Sequence, residues 1–190
     1  EDPTRFGIVG LDENRNVTQF KEKPKAEEVF SKLINAGSYI LEEEVFDIMP
    51  QEKHSLERDV FPVLAEEGSL AGFPFEGYFI DAGTPTSWHH GVKRCIEEKR
   101  FKSGTISHGS WHQGKCTIAR NSMVQDGCIV AGEVTESTLL RGAKIEPGAS
   151  VSNCLVGEGA IIGKDAKLSG VVVGHRSVVP PGHIQSEGTF

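Results

Sequence analysis

Residues 145–166 read IEPGASVSNCLVGEGAIIGKDA, and this stretch decides the fold of the second half of the chain. An aliphatic residue returns every five or six positions, and a small residue usually stands four positions after it. Followed outward, the pattern extends over these aliphatic positions: Ile118, Val124, Val130, Val134, Leu140, Ile145, Val151, Val156, Ile162, Leu168, Val173 and Val179. The small residues are Ser122, Cys128, Ala149, Ala160, Ala166 and Ser177. This spacing predicts a solenoid of hexapeptides with three short strands per coil and about four coils.

A hexapeptide solenoid is mainly a structural device, and an exposed coil edge favours packing against another copy. We therefore expect a homo-oligomer formed through the β-helix. Acyl transfer is the alternative, and it would need a base such as His175 or His183 and a groove for coenzyme A. Both histidines stand in Gly- and Pro-rich corners, which favours solvated turn residues.

Before the solenoid, strand patterns alternate with helix patterns, which predicts an α/β domain over residues 1–102, followed by the β-helix over residues 103–190. The predicted strands are a hairpin of Phe6–Leu11 and Val17–Glu22, a buried strand Leu33–Leu41, and two more at Leu70–Pro74 and Tyr78–Ile80. The predicted helices are residues 26–32, Glu43–Met49, Ser55–Glu67 and Pro85–Arg100. Pro62 falls inside the third, so that helix either kinks or begins later.

The net charge of −7 comes from the first half, since residues 1–102 hold 13 Lys/Arg against 20 Asp/Glu and residues 103–190 hold 7 of each. No basic stripe is present, which argues against nucleic acid as a partner. No apolar run approaches the ~20 residues that cross a bilayer, so we expect a soluble cytoplasmic protein without a membrane partner. The four cysteines form no C-x-x-C pair, which argues against a zinc site or a disulfide framework.

Three polar groups occur where the α/β half should be apolar. Glu22-Lys23-Pro24 stands at a strand end, Asn35-Ala36-Gly37 interrupts a predicted buried strand, and Asp81 follows Tyr78-Phe79-Ile80. A carboxylate at the end of a buried strand is costly unless paired, and a divalent cation is a suitable partner. The structural alternatives are a surface strand terminus, a β-bulge and a helix-capping or turn aspartate, respectively.

These groups belong to a set of motifs that resembles the sugar-1-phosphate nucleotidyltransferases, and within that family the mannose-1-phosphate guanylyltransferase branch. The motifs, in order, are Phe6-Gly7, Glu22-Lys23-Pro24-Lys25, Asn35-Ala36-Gly37-Ser38-Tyr39, Ser55-Leu56-Glu57-Arg58-Asp59-Val60-Phe61-Pro62 and Gly77-Tyr78-Phe79-Ile80-Asp81-Ala82-Gly83-Thr84-Pro85. The resemblance implies a Rossmann-like mixed sheet followed by a left-handed β-helix. It also implies synthesis of a nucleoside-diphosphate sugar, GDP-mannose first among the candidates, from an NTP and a mannose or glucose 1-phosphate, with Mg²⁺ and release of pyrophosphate.

The resemblance also implies roles for individual residues. Lys23 would hold the sugar phosphate as a mobile positive charge, and Glu22 would accept hydrogen bonds from sugar hydroxyls. Gly7 and Asn35-Ala36-Gly37 would line the sugar through close backbone approach. Asp81 would be one of two aspartates that bind the metal, and Lys23 and Asp81 are the expected catalytic pair. Arg58 would contact phosphate, unless it only pairs with Glu57 on a helix face.

The family's Gly-rich nucleotide loop and its other metal-binding aspartate have no counterpart among these 190 residues. We therefore expect this chain to be inactive by itself and to carry the sugar-binding half of a site. The alternative is a non-catalytic regulatory or assembly paralogue that binds a sugar nucleotide and oligomerises through its β-helix.

Overall fold

The structure, a computed structural model, describes residues 2–101 and 104–190. The chain forms two compact units, which divide between Phe79 and Ile80. The predicted domain boundary between Lys102 and Ser103 lies outside the described residues and stays a prediction.

The first unit is built on the predicted hairpin. Strands β1 (Gly7–Leu11) and β2 (Val17–Glu22) pair antiparallel, and β2 ends at Glu22 immediately before the Lys23-Pro24 turn. The unit also contains two short helices, α1 (Val45–Ile48) and α2 (Phe61–Glu66), and 3₁₀ turns at Pro3–Arg5 and Ala26–Glu28. The core is formed by these buried residues: Val17, Phe20, Val45, Val60, Phe61 and Ala65.

The helix predicted over Ser55–Glu67 begins later, which is one of the two outcomes predicted from the position of Pro62. Residues Leu56–Val60 form a π-helical turn, and α2 starts at Phe61 with Pro62 in its first turn. A proline is tolerated there because the first turn has no intrahelical acceptor for its missing N–H. Ser55 does not cap with its side chain: its hydroxyl donates to Oε2 of Glu57 at 2.7 Å.

The prediction of three further strands is wrong, because these segments do not form regular strands in the described residues. Leu33–Leu41 forms a single bridge, Ile8 to Ile34, and Leu70–Pro74 forms a single bridge, Asn16 to Ala71. Tyr78–Ile80 forms no regular strand in the structure. A strand exists only where a partner supplies hydrogen bonds. Some apolar residues of these segments stay exposed; Ile40 is 101% and Phe73 79% exposed.

The second unit opens with helix α3 (Pro85–Glu97), capped by Thr84, and continues into a parallel β-helix. Its strands are β3 (Trp111–His112), β4 (Thr117–Ile118), β5 (Met123–Val124), β6 (Ile129–Val130), β7 (Glu133–Thr135), β8 (Thr138–Leu139), β9 (Lys144–Ile145), β10 (Ser150–Ser152), β11 (Leu155–Val156), β12 (Ile161–Ile162), β13 (Lys167–Val173), β14 (Val178–Val179) and β15 (Ile184–Thr189).

The strands stack in register on three sides of the solenoid. The stacks are β4-β7-β10-β13-β15, then β5-β8-β11-β13, and β3-β6-β9-β12-β14; the long strand β13 belongs to two of them. All these pairs are parallel, which agrees with the β-helix of the resemblance.

The predicted inward positions are confirmed with one correction. From Val124 to Val179 they are buried at 0–3% exposure, except that the inward side chain of its strand is Leu139 and not Leu140. The coil reaches Thr138-Leu139 through a corner at Glu136, which has a left-handed backbone (φ 48°). Corners of variable length shift the register by one residue, and an outward aliphatic residue such as Leu140 can hide that shift.

Candidate functional site

Gly7, Glu22 and Asn35 converge in the first unit. Gly7 pairs with Glu22 across the hairpin, and the N–H of Asn35 donates to the carbonyl oxygen of Gly7 at 2.8 Å. A methyl group built on Gly7 would lie 2.8 Å from Oε2 of Glu22 and 3.3 Å from Cβ of Asn35. The two polar side chains therefore pack against the bare backbone of Gly7, and the role of this cluster toward a sugar stays a prediction.

The loop Asn35-Ala36-Gly37 turns sharply at this point. Oδ1 of Asn35 accepts the N–H of Gly37 at 3.0 Å, which closes an Asx turn. Gly37 has a positive φ of 69°, where a side chain would be strained. Ala36 is half-buried beside it. The loop thus presents backbone and one amide side chain next to Gly7.

Lys23 follows Glu22 in the left-handed region, with φ 47°. Its N–H donates to the carbonyl oxygen of Phe6 at 3.0 Å, and its side chain is exposed. This conformation costs about 1–2 kcal/mol in a non-glycine residue. Arg15 in the hairpin turn has the same backbone conformation, so this conformation indicates a sharp turn. The candidate role of Lys23 therefore depends on its charge.

A hydrogen-bonded chain of side chains orients Asn35. Nδ2 of Asn35 donates to the hydroxyl of Tyr39 at 2.6 Å, and that hydroxyl donates to Oε1 of Glu57 at 3.1 Å. The Tyr39 ring packs edge-on against Phe61, with centroids 4.7 Å apart. Tyr39 and Glu57 were not among the predicted site residues, although both stand inside quoted motifs. Only the fold brings together two residues that are 18 positions apart.

Electrostatics in this chain favour an ionised Glu57 and a neutral Tyr39. The Ser55 hydroxyl, backbone donation and the Tyr39 hydroxyl hold the pKa of Glu57 below its usual value, and Arg58 adds to this. Burial raises the pKa of Tyr39; the Asn35 amide opposes that rise, and the carboxylates of Glu57 and Glu22 add to it. Tyr39 therefore stays a hydrogen-bond donor to a carboxylate at neutral pH.

Arg58 is exposed on the π-helical turn, next in the chain to Glu57. Its charge contributes least to the lowered pKa of Glu57, and its predicted role toward phosphate stays a prediction.

Asp81 lies in the second unit, in the turn that leads to α3. Its Oδ1 accepts the N–H of Gly83 at 3.1 Å, and Thr84 caps the helix. The carboxylate is exposed and follows no regular strand. The desolvation argument for a metal at Asp81 is therefore wrong, while its role as a ligand stays a prediction. The structure gives Asp81 the geometry of a turn aspartate.

A metal site cannot be built from protein ligands alone in the part of the chain that the structure describes. No group of three or more His, Cys, Asp or Glu residues there could hold an ion. A carboxylate such as Asp81 is nevertheless the ligand type that Mg²⁺ takes, and Mg²⁺ commonly uses one or two carboxylates plus substrate phosphates. The donor type therefore fits, with phosphate oxygens required to complete the site.

The structure also locates the two histidines that were considered as bases for acyl transfer. His175 is exposed in a corner, where its Nδ1 accepts the N–H of Glu158 at 2.9 Å, and His183 is half-buried against Phe190. His175 is a solvated turn residue, as predicted, whereas His183 follows a turn and is not fully solvated. None of the helices described here has the length and apolarity needed to cross a membrane.

Comparison with known proteins assigns both parts of the chain. The family described as Nucleotidyl transferase matches residues 1–98, and the family described as GlmU-like, C-terminal hexapeptide matches residues 107–185. A probable mannose-1-phosphate guanylyltransferase 1 of Oryza sativa subsp. japonica is 29% identical over 94% of this chain and 49% of its own length. Glucose-1-phosphate adenylyltransferase of Bacillus mycoides (strain KBAB4) is 29% identical over 97% of this chain and 53% of its own length. The chain thus spans about half the length of the curated relatives it matches.

Proposed function

Because the chain belongs to the nucleotidyl transferase family, among the sugar-1-phosphate nucleotidyltransferases, we propose that it supplies the sugar-phosphate half of such an enzyme's site. The whole protein would join a sugar 1-phosphate to an NTP and release pyrophosphate. The observation that carries this proposal is the convergence of Gly7, Glu22 and Asn35, with the exposed charge of Lys23 at the adjacent turn.

Each group has a task that its geometry supports. The bare backbone at Gly7 leaves room for the carboxylate of Glu22 to pack against it, and that carboxylate accepts hydrogen bonds from sugar hydroxyls beside it. Lys23 neutralises the sugar phosphate as a point charge on a flexible stem. The reaction needs charge neutralisation and in-line alignment of the attacking phosphate oxygen more than it needs a general base.

We assign Asp81 as one ligand of Mg²⁺, with Arg58 as an additional phosphate contact. Bound Mg²⁺ would neutralise charge on the phosphates. Mannose with guanine is the first substrate pair to test and glucose with adenine the second, since the relatives above carry those names. A soluble cytoplasmic enzyme is the expected setting.

Binding to this chain is the first test. Titration calorimetry with mannose 1-phosphate and glucose 1-phosphate should detect one of them. Lys23→Met should weaken binding at least tenfold, because it keeps the stem and removes the charge. Lys25→Met is the matched control, an exposed lysine two residues further along, and should leave affinity unchanged. Equal effects of the two substitutions would reject the assignment of Lys23.

Turnover is tested on the longer protein by following pyrophosphate release over a panel of NTPs and sugar phosphates. Asp81→Asn should abolish Mg²⁺-dependent release while the β-helix stays folded by circular dichroism. Normal turnover in Asp81→Asn would reject the metal assignment. Binding of both substrates without any release would support the regulatory or assembly alternative instead.

A further inference from the structure

The residues proposed for the active site belong to two different compact units of the chain. Gly7, Glu22 and Lys23 lie in the first unit, which ends at Phe79. Asp81 lies in the second unit, together with helix α3 and the β-helix. The contacts that hold the proposed metal ligand are therefore found in the second unit and differ from those that shape the sugar-phosphate cluster.

The turn that contains Asp81 contacts helix α3 both before and after the aspartate. After it, the N–H of Gly83 donates to Oδ1 of Asp81 at 3.1 Å, and Thr84 caps the helix. Before it, Ile80 lies against the helix, since a methyl group built on Gly91 would lie 3.7 Å from Cγ2 of Ile80. Because this short turn is attached to α3 on both sides, a shift of the helix moves the carboxylate.

The helix is in turn fixed to the solenoid by polar side chains. Nζ of Lys93 donates to Oε2 of Glu136 and to Oδ1 of Asn153, at 2.9 Å each. One helical turn earlier, Nδ1 of His89 lies 3.0 Å from the buried hydroxyl of Thr138. The two acceptors of Lys93 follow β7 and β10, which pair in successive coils. The ammonium group of Lys93 therefore joins α3 to two coils at once.

We propose that Lys93 is a positioning residue for the metal site, which holds Asp81 in place by fixing α3 to the β-helix. This proposal rests on the function proposed above, in which Asp81 is a ligand of Mg²⁺. Mg²⁺ takes one or two protein carboxylates and completes its shell with substrate phosphates and water. A carboxylate in such a site must be held accurately, because small misplacements of a reacting group are costly. The β-helix then contributes to the metal site through α3.

Lys93 is a cleaner residue to test than His89. His89 is 4% exposed and its Nε2 has no partner among the described residues, so replacing it also changes the packing of the interface. The side chain of Lys93 is 24% exposed, and both of its hydrogen bonds are made by the ammonium group. Lys93→Met removes that group and keeps most of the stem, so the apolar contacts of α3 remain.

The first experiment uses this chain and does not depend on turnover. In nitrogen-15 NMR spectra, Lys93→Met should shift the amide resonances of residues 81–83, whereas Lys93→Arg, which keeps a cation, should leave them near their wild-type positions. Lys99→Met is the matched control, an exposed lysine just beyond the end of the same helix, and should leave them unchanged. Glu136→Gly suits the left-handed backbone of that corner (φ 48°), removes one acceptor, and should shift the same resonances. Unchanged resonances in Lys93→Met and Glu136→Gly would overturn the proposal.

The second experiment follows pyrophosphate release by the longer protein as a function of Mg²⁺ concentration. Lys93→Met should raise the Mg²⁺ concentration for half-maximal release about two- to fivefold, the range that loss of a partly exposed ion pair supports. Saturating Mg²⁺ should restore most of kcat, and the KM for the sugar phosphate should then equal that of the wild type. Lys93→Arg should recover the wild-type dependence on Mg²⁺.

The outcomes separate this proposal from the proposed function. If the wild type releases pyrophosphate and Lys93→Met needs no more Mg²⁺ than it does, the positioning role fails and the proposed function stands. An equal rise in the KM for the sugar phosphate would also overturn the proposal, because Lys93 would then act on the whole protein rather than on the metal site. A wild type that releases no pyrophosphate with any substrate pair rejects the proposed function, and the role of Lys93 with it.

Discussion

Replacing Gly7 with alanine should damage the candidate sugar site and the core beneath it together. The added methyl would lie 2.8 Å from Oε2 of Glu22 and 2.9 Å from Cζ of Phe20. Both contacts are shorter than a carbon atom allows, so both neighbours must move. Gly7 has no positive φ, so the backbone itself would accept alanine and any loss comes from these contacts.

The two displacements have different costs. Glu22 can swing its carboxylate aside, which costs little stability but removes the acceptor from the site. Phe20 is 8% exposed and packs edge-on against Phe61 at 5.4 Å, so its ring has little room to move. Overpacking of a core costs typically about 1–3 kcal/mol. We expect that loss of unfolding free energy together with at least tenfold weaker sugar-phosphate binding.

Urea unfolding and titration calorimetry measure the two effects separately. Gly10→Ala on the same strand is the matched control, since its methyl would meet Thr18 Oγ1 at 3.1 Å and Phe30 at 3.4 Å, both milder contacts. It should cost less stability and leave affinity unchanged. If Gly7→Ala binds the sugar phosphate as tightly as the wild type does, the site does not lie at Gly7 and Glu22.

Three further predictions concern the side chains that orient the site and the solenoid. Tyr39→Phe should cost about 1 kcal/mol in urea unfolding and weaken sugar-phosphate binding severalfold by calorimetry, because Asn35 loses its acceptor; unchanged affinity would remove Tyr39 from the site. Burial and the Lys93 charge lower the pKa of His89, so the unfolded chain takes up that proton first, and stability should fall as the pH drops below about 6.5. Hydrogen exchange of α3 at pH 8 and pH 5.5 tests this prediction. His89→Gln should reduce the pH dependence of the stability of α3, whereas the exposed control His90→Gln should retain it. Leu139→Ala should cost about 2–5 kcal/mol, whereas Leu140→Ala should cost far less, and equal losses in urea unfolding would contradict the corrected register.

The sequence predicts the solenoid well because each coil repeats the same requirement. An inward aliphatic residue at each strand is needed whatever the neighbouring coil contains, so the period alone identifies positions such as Val151 and Ile162, which are fully buried. The error at Leu140 arises where a corner changes length. Two adjacent leucines there satisfy the pattern equally well, and only the corner at Glu136 decides between them.

The first unit is less predictable because its strands depend on partners elsewhere in the chain. The hairpin is local and was predicted correctly. Leu33–Leu41 has the composition of a buried strand, yet it pairs only at Ile34, since composition does not supply a neighbour. The same reason explains the missed link between Asn35, Tyr39 and Glu57, which depends on the π-helical turn of Leu56–Val60 presenting a carboxylate to the loop.

Helix α3 is held to the solenoid by polar contacts at one column of corners. Corner residues spaced 17 positions apart share a left-handed backbone: Glu136, Asn153, Gly170 and Glu187. Lys93 donates to Glu136 and to Asn153 at 2.9 Å each, while the buried Nε2 of His89 has no partner among the described residues. Asp81 stands three residues before the helix cap, so the turn that shapes its carboxylate is continuous with a helix anchored at these corners. Its position as a metal ligand would therefore depend on the packing of α3 against the solenoid as well as on its own turn.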